Sequence, residues 1–220
     1  MALIEKLNNI GDAIREKTGK EDLLTLDAMA AEIEGMTADD GSYKAVIEGT
    51  EGNITLPSDL TKIRNYAFYF GSYITQITLP EGITEIGGNA FYYCTNMVLT
   101  SLPEGITSIG GSAFRNCQKL AITSLPKNLT KIMSSAFNSC YNIETMTIHG
   151  GITQIETSAF DSCSRLSTLT FEGKPDSIAY NAFKNCTNLT TINVPWSEGE
   201  VSNAPWGATN ATIVYNYTGE

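Results

Sequence analysis

Apolar and polar positions along this chain repeat with a fixed period from residue 56 to residue 193. The pair Ala-Phe recurs at 67–68, 90–91, 113–114, 136–137, 159–160 and 182–183, so every interval is 23 residues. An unbroken isoleucine column has the same period, at positions 63, 86, 109, 132, 155 and 178. Such a period is typical of a solenoid, in which each coil packs only against its neighbours. The sequence therefore predicts a β-rich solenoid of six 23-residue coils.

Within each coil, the spacing of apolar residues predicts two short strands and one tight turn. The segments Leu-x-x-Ile-x-Leu-Pro and Ile-Thr-x-Ile alternate apolar and polar residues, as strands with one buried face do. The segment Ala-Phe-x-x-Cys has the spacing of a helical or 3₁₀ turn. Proline after the first strand ends it, because proline cannot donate to the β-ladder. We expect this solenoid to occupy residues 56–195.

Both ends of the chain depart from the repeat. Residues 2–17 and 25–34 each place apolar side chains on one helical face, which predicts a helical hairpin within residues 1–36. Helices this short are marginal in water, so the hairpin must pack on itself, on the solenoid or on a partner. Residues 37–55 predict a linker and a strand that covers the first coil. Residues 196–220 predict a C-terminal cap that includes a strand.

The charges are distributed unevenly along the chain, whose net charge is −10. Residues 1–40 hold ten acidic and four basic side chains, residues 41–195 hold eleven and ten, and residues 196–220 hold three and none. A nearly neutral solenoid lacks the clustered Lys and Arg that binding to nucleic acid or anionic membranes requires. No apolar run is long enough for membrane insertion. The first residues also lack the pattern of a signal peptide.

Residue types that carry catalysis or metal binding do not converge in this sequence. The single histidine, His149, stands where other coils have proline, and no phosphate-binding glycine motif is present. The cysteines share one column in which a small buried apolar group fits, so we expect free thiols rather than disulfides or metal ligands. They are Cys94, Cys117, Cys140, Cys163 and Cys186. The sequence predicts no catalytic residue, no cofactor and no metal.

One candidate recognition face is a row of uncharged positions on the first strand of each coil. Leu99 and Ile122 are expected to form an exposed apolar spot within it. Threonine and serine are also ordinary residues on a sheet surface, so the row fits a purely structural role as well. The face consists of Gln76, Thr78, Leu99, Ser101, Ile122, Ser124, Thr145, Thr147, Thr168 and Thr170.

A second candidate surface, the tyrosine cluster, lies in the first two Ala-Phe turns. Tyrosine is enriched in interfaces because its ring is apolar and its hydroxyl is polar. The same residues would also suit packing against the N-terminal helices or the cap strand, and both interpretations stay open. The cluster consists of Tyr66, Tyr69, Tyr73, Tyr92 and Tyr93, and Phe70 lies among them in the sequence.

The repeat resembles the BspA-like, or bacterial surface antigen, type of leucine-rich repeat. The resemblance rests on the motif Leu-Pro-x-x-[Leu/Ile]-Thr-x-Ile-x-x-x-Ala-Phe-x-x-Cys and covers about two thirds of the chain. It implies a non-enzymatic surface or secreted protein that adheres to host or matrix molecules. The chain departs from the motif at His149 and Glu172, where proline is replaced, so we expect a distorted solenoid there.

The first 36 residues carry a second resemblance. The segment Ala-Ile-Arg-Glu-Lys-Thr-Gly-Lys at 13–20, followed by Leu-Thr-Leu-Asp-Ala-Met-Ala at 24–30, is similar to the N-terminal module of phage and prophage tail-associated proteins from Gram-positive gut bacteria. This resemblance implies an attachment role for residues 1–36, through a homo-oligomer or a virion partner. It also implies a location in the virion, or outside the cell after cytoplasmic assembly.

Together these patterns favour a recognition or adhesion module that binds a protein or a cell-surface glycan. The leading expectation is a phage or prophage tail-associated structural or receptor-binding protein. The alternatives are a secreted bacterial adhesin without its leader, a structural spacer, and an intracellular scaffold for protein interactions.

Overall fold

The computed structural model describes residues 52–56 and 58–219. These residues form a β-solenoid of about seven turns with 23-residue spacing, and they contain no helix. The predicted fold class is thereby confirmed. The helical hairpin, the linker and the strand expected before residue 52 lie outside the described residues.

The strands of the described residues form two rows that run along the stack of coils. Neighbouring coils pair in parallel one repeat apart, as Ile63 pairs with Ile86. The first row holds β1 (Asn53–Thr55), β3 (Gln76–Thr78), β7 (Thr145–Ile148), β9 (Thr168–Phe171), β11 (Thr191–Asn193) and β12 (Thr212–Val214). The second row holds β2 (Lys62–Ile63), β4 (Glu85–Ile86), β5 (Ser108–Ile109), β6 (Lys131–Ile132), β8 (Gln154–Ile155) and β10 (Ser177–Ile178).

We number the 23-residue coils from residue 56, so that coil one is 56–78, coil two is 79–101 and coil three is 102–124. The first row is interrupted where coils two and three should each contribute a strand. Pairing there is reduced to isolated bridges, among them one between Gln76 and Val98. The sequence explains the interruption, because the inward-facing Ile77 of coil one is followed one repeat later by Thr100, and the apolar residue moves to Leu99. A shift of one residue exchanges the buried and exposed faces of a strand.

This shift makes one prediction about the candidate recognition face wrong. Leu99 and Ile122 were expected on the surface, but only 9% and 1% of the surface of each residue is exposed. Val98, one residue earlier, is 45% exposed instead. The expected apolar spot at Leu99 and Ile122 is therefore part of the core.

The Ala-Phe segments are runs of turns that also pair with the following coil. In coil one, the Tyr69 amide donates to the Tyr66 carbonyl at 3.0 Å, whereas the Phe68 amide donates to the Ala90 carbonyl of coil two at 2.7 Å. Tyr66 and Phe70 adopt left-handed φ angles of 62° and 59°. Helical and 3₁₀ turns keep φ negative and bond within themselves. The prediction of a helical or 3₁₀ turn is therefore wrong.

Columns of identical side chains fill the core. The phenylalanine rings of successive coils stack almost in parallel, as Phe114 and Phe137 do with centroids 5.6 Å apart and planes inclined by 4°. Each cysteine thiol donates to the carbonyl of the phenylalanine 26 residues earlier, as from Cys140 Sγ to Phe114 O at 3.1 Å. All five thiols are free and buried, which confirms that prediction. Each thiol thus adds a second hydrogen bond to a carbonyl that already accepts one from the backbone amide three residues later.

The last coil is covered by residues that break the repeat. β12 extends the first row by pairing in parallel with β11. Trp206 is buried, and its carbonyl accepts a hydrogen bond from the Phe183 amide. In the earlier coils the alanine carbonyl of the next coil accepts this bond, as Ala90 does from Phe68. The rings of Trp196 and Trp206 pack around Phe171. The repeat does not continue into a seventh Ala-Phe turn, so these contacts bury the end of the core in its place.

Candidate functional site

The candidate recognition face is only partly assembled as a row. Gln76, Thr78, Ser101 and Ser124 are exposed, and Thr145 and Thr147 face outward from β7. The pairs Thr145–Thr168 and Thr147–Thr170 lie side by side in the register of β7 and β9. Because the row is interrupted at coils two and three, its two halves do not form one continuous sheet surface.

The tyrosine cluster is assembled more tightly than the sequence indicated. Tyr69 stacks on Tyr92 with centroids 4.9 Å apart, and Phe70 stacks on Tyr93 at 5.0 Å. Tyr66 meets the edge of Tyr69 at 5.4 Å. We call these five residues, Tyr66, Tyr69, Phe70, Tyr92 and Tyr93, the aromatic patch. Tyr73 makes no ring contact with the patch among the described residues.

The aromatic patch remains partly open to solvent. Tyr66 is 39% exposed and Tyr93 is 37% exposed, while the other three rings are half-buried. Aromatic pairs of this geometry are each worth about 0.5–1.5 kcal/mol beyond their burial. The rings therefore hold one another in fixed positions, and Tyr66 and Tyr93 keep part of their surface exposed.

Three rings of the patch stand at backbone positions that do not favour them. Tyr66, Phe70 and Tyr93 have φ angles near +60°, a region in which Asn and Gly are favoured and bulky residues are rare. The residues one repeat after Tyr66 and Tyr93 are Asn89 and Asn116, with φ angles of 56° and 60°. For most L-residues this conformation costs about 1–2 kcal/mol. The chain therefore places aromatic residues where asparagine would be easier to accommodate.

Arg115 extends the aromatic patch into coil three. It stands one repeat after Tyr92 and two repeats after Tyr69, and its guanidinium carbon lies 5.7 Å from the centroid of the Tyr92 ring. Its Nε atom is buried and has no hydrogen-bond partner in the described part of the chain. Sequence reasoning missed this residue, although the 23-residue spacing from 69 to 92 to 115 carried the signal.

The charged residues in the sequence of the three turn segments that carry the patch and Arg115 are all basic. The turn segments 64–73, 87–96 and 110–119 contain Arg64, Arg115 and Lys119 and no acidic residue. Burial raises the pKa of Tyr69, and the neighbouring Tyr92 and Tyr66 raise it further, while Arg115 opposes the change.

Burial suppresses the ionisation of Tyr73 and of four of the five cysteines. Burial raises the pKa of Tyr73 to about 12, with a smaller contribution from Cys94. Burial also raises the pKa of Cys94 to about 12 and raises those of Cys117, Cys140 and Cys163. Thiols react as thiolates, so these four are inert at neutral pH.

The described residues contain no metal-binding cluster and no membrane span. No three His, Cys, Asp or Glu side chains in this part of the chain could hold an ion together. His149 Nδ1 accepts the Gly151 amide at 3.1 Å, so it serves the local turn. Between residues 52 and 219, no helix is long and apolar enough to cross a bilayer.

The repeat, the stacked columns and the parallel strand rows define a leucine-rich-repeat solenoid. The chain belongs to the BspA type leucine rich repeat region family, whose model matches residues 50–100 and 84–206 with six copies. Membership indicates a scaffold for protein binding or adhesion. No curated protein sequence matches the chain.

Several solved structures share this fold. A leucine rich repeat protein of T. pallidum is 26% identical with a TM-score of 0.57, and the match covers 66% of this chain and 73% of that one. The pneumococcal vaccine antigen PcpA is 19% identical with a TM-score of 0.59, over 76% of this chain and 42% of the antigen. A leucine-rich repeat protein from Eubacterium ventriosum is 24% identical with a TM-score of 0.57, over 81% and 47%. The chain thus spans less than half of the latter two.

Proposed function

We propose that this solenoid is a non-enzymatic adhesion module that recognises a protein or glycan on a cell surface through the aromatic patch. Family membership supports the general role, because leucine-rich repeats of this type are binding scaffolds.

The observation that carries the proposal is the position of the aromatic rings. Folding alone favours Asn at φ near +60°, as at Asn89 and Asn116, yet Tyr66 and Tyr93 occupy the equivalent positions. Strained residues of this kind cluster at binding sites, where the strain is part of preorganisation. Both tyrosines also keep more than a third of their surface exposed. The patch is therefore better explained by recognition than by stability.

The double substitution Tyr66→Asn/Tyr93→Asn tests this proposal. The variant loses three ring contacts, each worth about 0.5–1.5 kcal/mol, and relief of the left-handed strain offsets part of this loss, so binding is compared under conditions in which circular dichroism shows both proteins folded. Binding of the labelled protein to bacterial cells, purified cell-wall glycan or mucin-coated surfaces should fall at least several-fold.

A matched control removes two exposed tyrosines elsewhere. Tyr141→Thr/Tyr180→Thr introduces residues that other coils carry at these positions, and neither ring belongs to the aromatic patch. The control should bind as the unaltered chain does. Equal binding by all three proteins would reject the aromatic patch as the recognition surface. Absence of binding by the unaltered chain to any of these surfaces would favour the structural spacer.

We further propose that residues 1–36 attach the solenoid to an oligomer or to a virion partner, as in phage or prophage tail-associated proteins, with the protein located in the virion or outside the cell. The resemblance of residues 13–30 to such modules is its support. The competing proposal is a secreted surface adhesin whose leader has been removed. If the helices mediate self-assembly, the mass measured by light scattering should fall to that of a monomer when residues 1–36 are deleted. An unchanged mass would reject self-assembly through this segment.

A further inference from the structure

A surface recess of about 330 Å³ opens over the second row of strands in coils four to six. It lies at the corner where β8 and β10 lead into the Ala-Phe turns. Its residues in coils four and six are small, and the longer side chains belong to coil five, so the surface between them is concave. The lining includes Ser134, Gln154, Glu156, Thr157, Ser177 and Ala179.

The recess contains one carboxylate, and the fold holds it in place by one of its oxygens. The Ser134 amide donates to Glu156 Oε2 at 3.0 Å, and the Ser134 hydroxyl donates to the same oxygen at 2.8 Å. The other oxygen, Oε1, has no hydrogen-bond partner in the described part of the chain. Glu156 is half-buried and forms no ion pair with a described residue. The carboxylate is therefore fixed in position while one acceptor oxygen and its charge stay unused.

The structural task of Glu156 does not require a charge. Gly88 stands two repeats before Ser134, and its amide donates to the neutral side chain of Asn65, with 2.7 Å between the nitrogen and Oδ1. An amide oxygen thus satisfies the same backbone position elsewhere in the solenoid. The carboxylate is also confined to coil five, because the corresponding residues of the other coils are Arg64, Gly87, Gly110, Met133 and Ala179.

The surroundings of Glu156 suit a cationic group that donates several hydrogen bonds. The side chains of Gln154, Thr157 and Ser177 add oxygen acceptors to the lining, which contains no basic residue. Lys131 stands beside Gln154 in the register of β6 and β8, but among the described residues it makes no ion pair with Glu156. A primary ammonium carries one positive charge and three N–H donors, so it can use the carboxylate and neighbouring acceptors together.

We propose that this recess binds the ammonium group of a lysine side chain on a partner protein, with Glu156 as its counter-ion. The inference goes beyond the proposed function, because the recess shares no residue with the aromatic patch. Two other ligands compete. A metal ion would need further ligands, and no three His, Cys, Asp or Glu side chains between residues 52 and 219 could hold one. A neutral sugar would use the hydroxyl groups and leave the charge of Glu156 without a partner.

The test is a nuclear magnetic resonance titration of the full chain with ¹⁵N-labelled amides and three probes. The probes are the terminally blocked peptide Gly-Ser-Lys-Ser-Gly, the same peptide with norleucine in place of lysine, and chitotetraose as the neutral sugar. We expect the lysine peptide to shift the amide signals of Gln154, Thr157 and Ser177. The norleucine peptide has the same length without the charge, so it should leave these signals unchanged, as should chitotetraose.

Substitutions assign the binding to the carboxylate. Glu156→Gln should weaken binding of the lysine peptide at least about tenfold, because a hydrogen bond to a charged group is replaced by one to a neutral amide. The glutamine oxygen can still accept the Ser134 amide, as Asn65 does for Gly88, and circular dichroism verifies that the variant folds. Glu172→Gln is the matched control, because it removes the same charge from coil six outside the recess and should leave the affinity unchanged.

Several results would overturn the inference. They are absence of shifts at the recess with the lysine peptide, equal shifts with the norleucine peptide, larger shifts with chitotetraose, and unchanged affinity in Glu156→Gln. Equal weakening by Glu156→Gln and Glu172→Gln would overturn it as well, because it would indicate general charge attraction. None of these outcomes refutes the proposed adhesion function, which fails separately if Tyr66→Asn/Tyr93→Asn leaves cell-surface binding unchanged.

Discussion

Replacing Phe137 by alanine is expected to lower the free energy of unfolding by about 3–5 kcal/mol. The ring lies between those of Phe114 and Phe160, with centroids 5.6 Å and 5.2 Å away, and it has no exposed surface. Its removal leaves a cavity inside a close-packed column and deprives two neighbouring rings of contacts. Urea denaturation monitored by circular dichroism measures the loss.

Phe68→Ala is the matched control for this substitution. Phe68 begins the described stack, so it has one ring neighbour, Phe91 at 5.1 Å, and it is less deeply buried. The same change of side chain should therefore cost less there than at Phe137. Equal losses at the two positions, or a loss at Phe137 below about 1 kcal/mol, would contradict the stacked-column account of stability.

The solenoid is also expected to lose stability steeply as the pH rises above about 8.5, the ordinary pKa of cysteine. Burial raises the pKa of Cys94 to about 12 and raises those of Cys117, Cys140 and Cys163, so these thiols stay protonated in the folded protein. Unfolding exposes them, and alkaline solvent then ionises them. Their stabilising effect is complete below the unfolded pKa and is lost toward the folded one, at about 1.4 kcal/mol per pH unit for each thiol.

Denaturant titrations between pH 8 and pH 11 measure this loss, and Cys140→Ala isolates the contribution of one thiol. The variant should be less stable at pH 8, because it lacks the hydrogen bond from Sγ to the Phe114 carbonyl. Its free energy of unfolding should then fall less steeply with pH than that of the unaltered chain. Identical slopes would show that the thiols do not cause the alkaline loss.

The repeat made the fold predictable, because identical columns leave few ways to bury the Phe and Cys side chains. The errors came from assuming that every coil keeps the same register. In coil two the apolar residue stands at Leu99 rather than at Thr100, which turns that segment over and interrupts the first row. The spacing of Met97, Leu99 and Leu102 already contained this information. A column-by-column comparison of Ile77 with Thr100 would have revealed it.

The backbone of the Ala-Phe turn was harder to predict. Phe follows Ala by one residue and Cys follows Phe by three, a spacing that fits a helical turn. Only the recurring Asn and Ser at the left-handed positions, such as Asn116 and Ser139, indicated a non-helical backbone. Arg115 was missed because a single arginine in a variable column looks like an ordinary surface residue. The 23-residue spacing places it in the column of Tyr69 and Tyr92, but only the structure shows that its guanidinium carbon lies 5.7 Å from the Tyr92 centroid.

The central claim is that ligand binds at the aromatic patch rather than along the threonine row. Nuclear magnetic resonance of the chain with isotopically labelled tyrosine and threonine tests it directly, because both surfaces are observed in one titration with solubilised cell-wall glycan. We predict ring shifts at Tyr66, Tyr69, Tyr92 and Tyr93 and unchanged methyl signals in the row formed by Thr145, Thr147, Thr168 and Thr170. Shifts confined to the threonine row, with the tyrosine rings unchanged, would contradict the account.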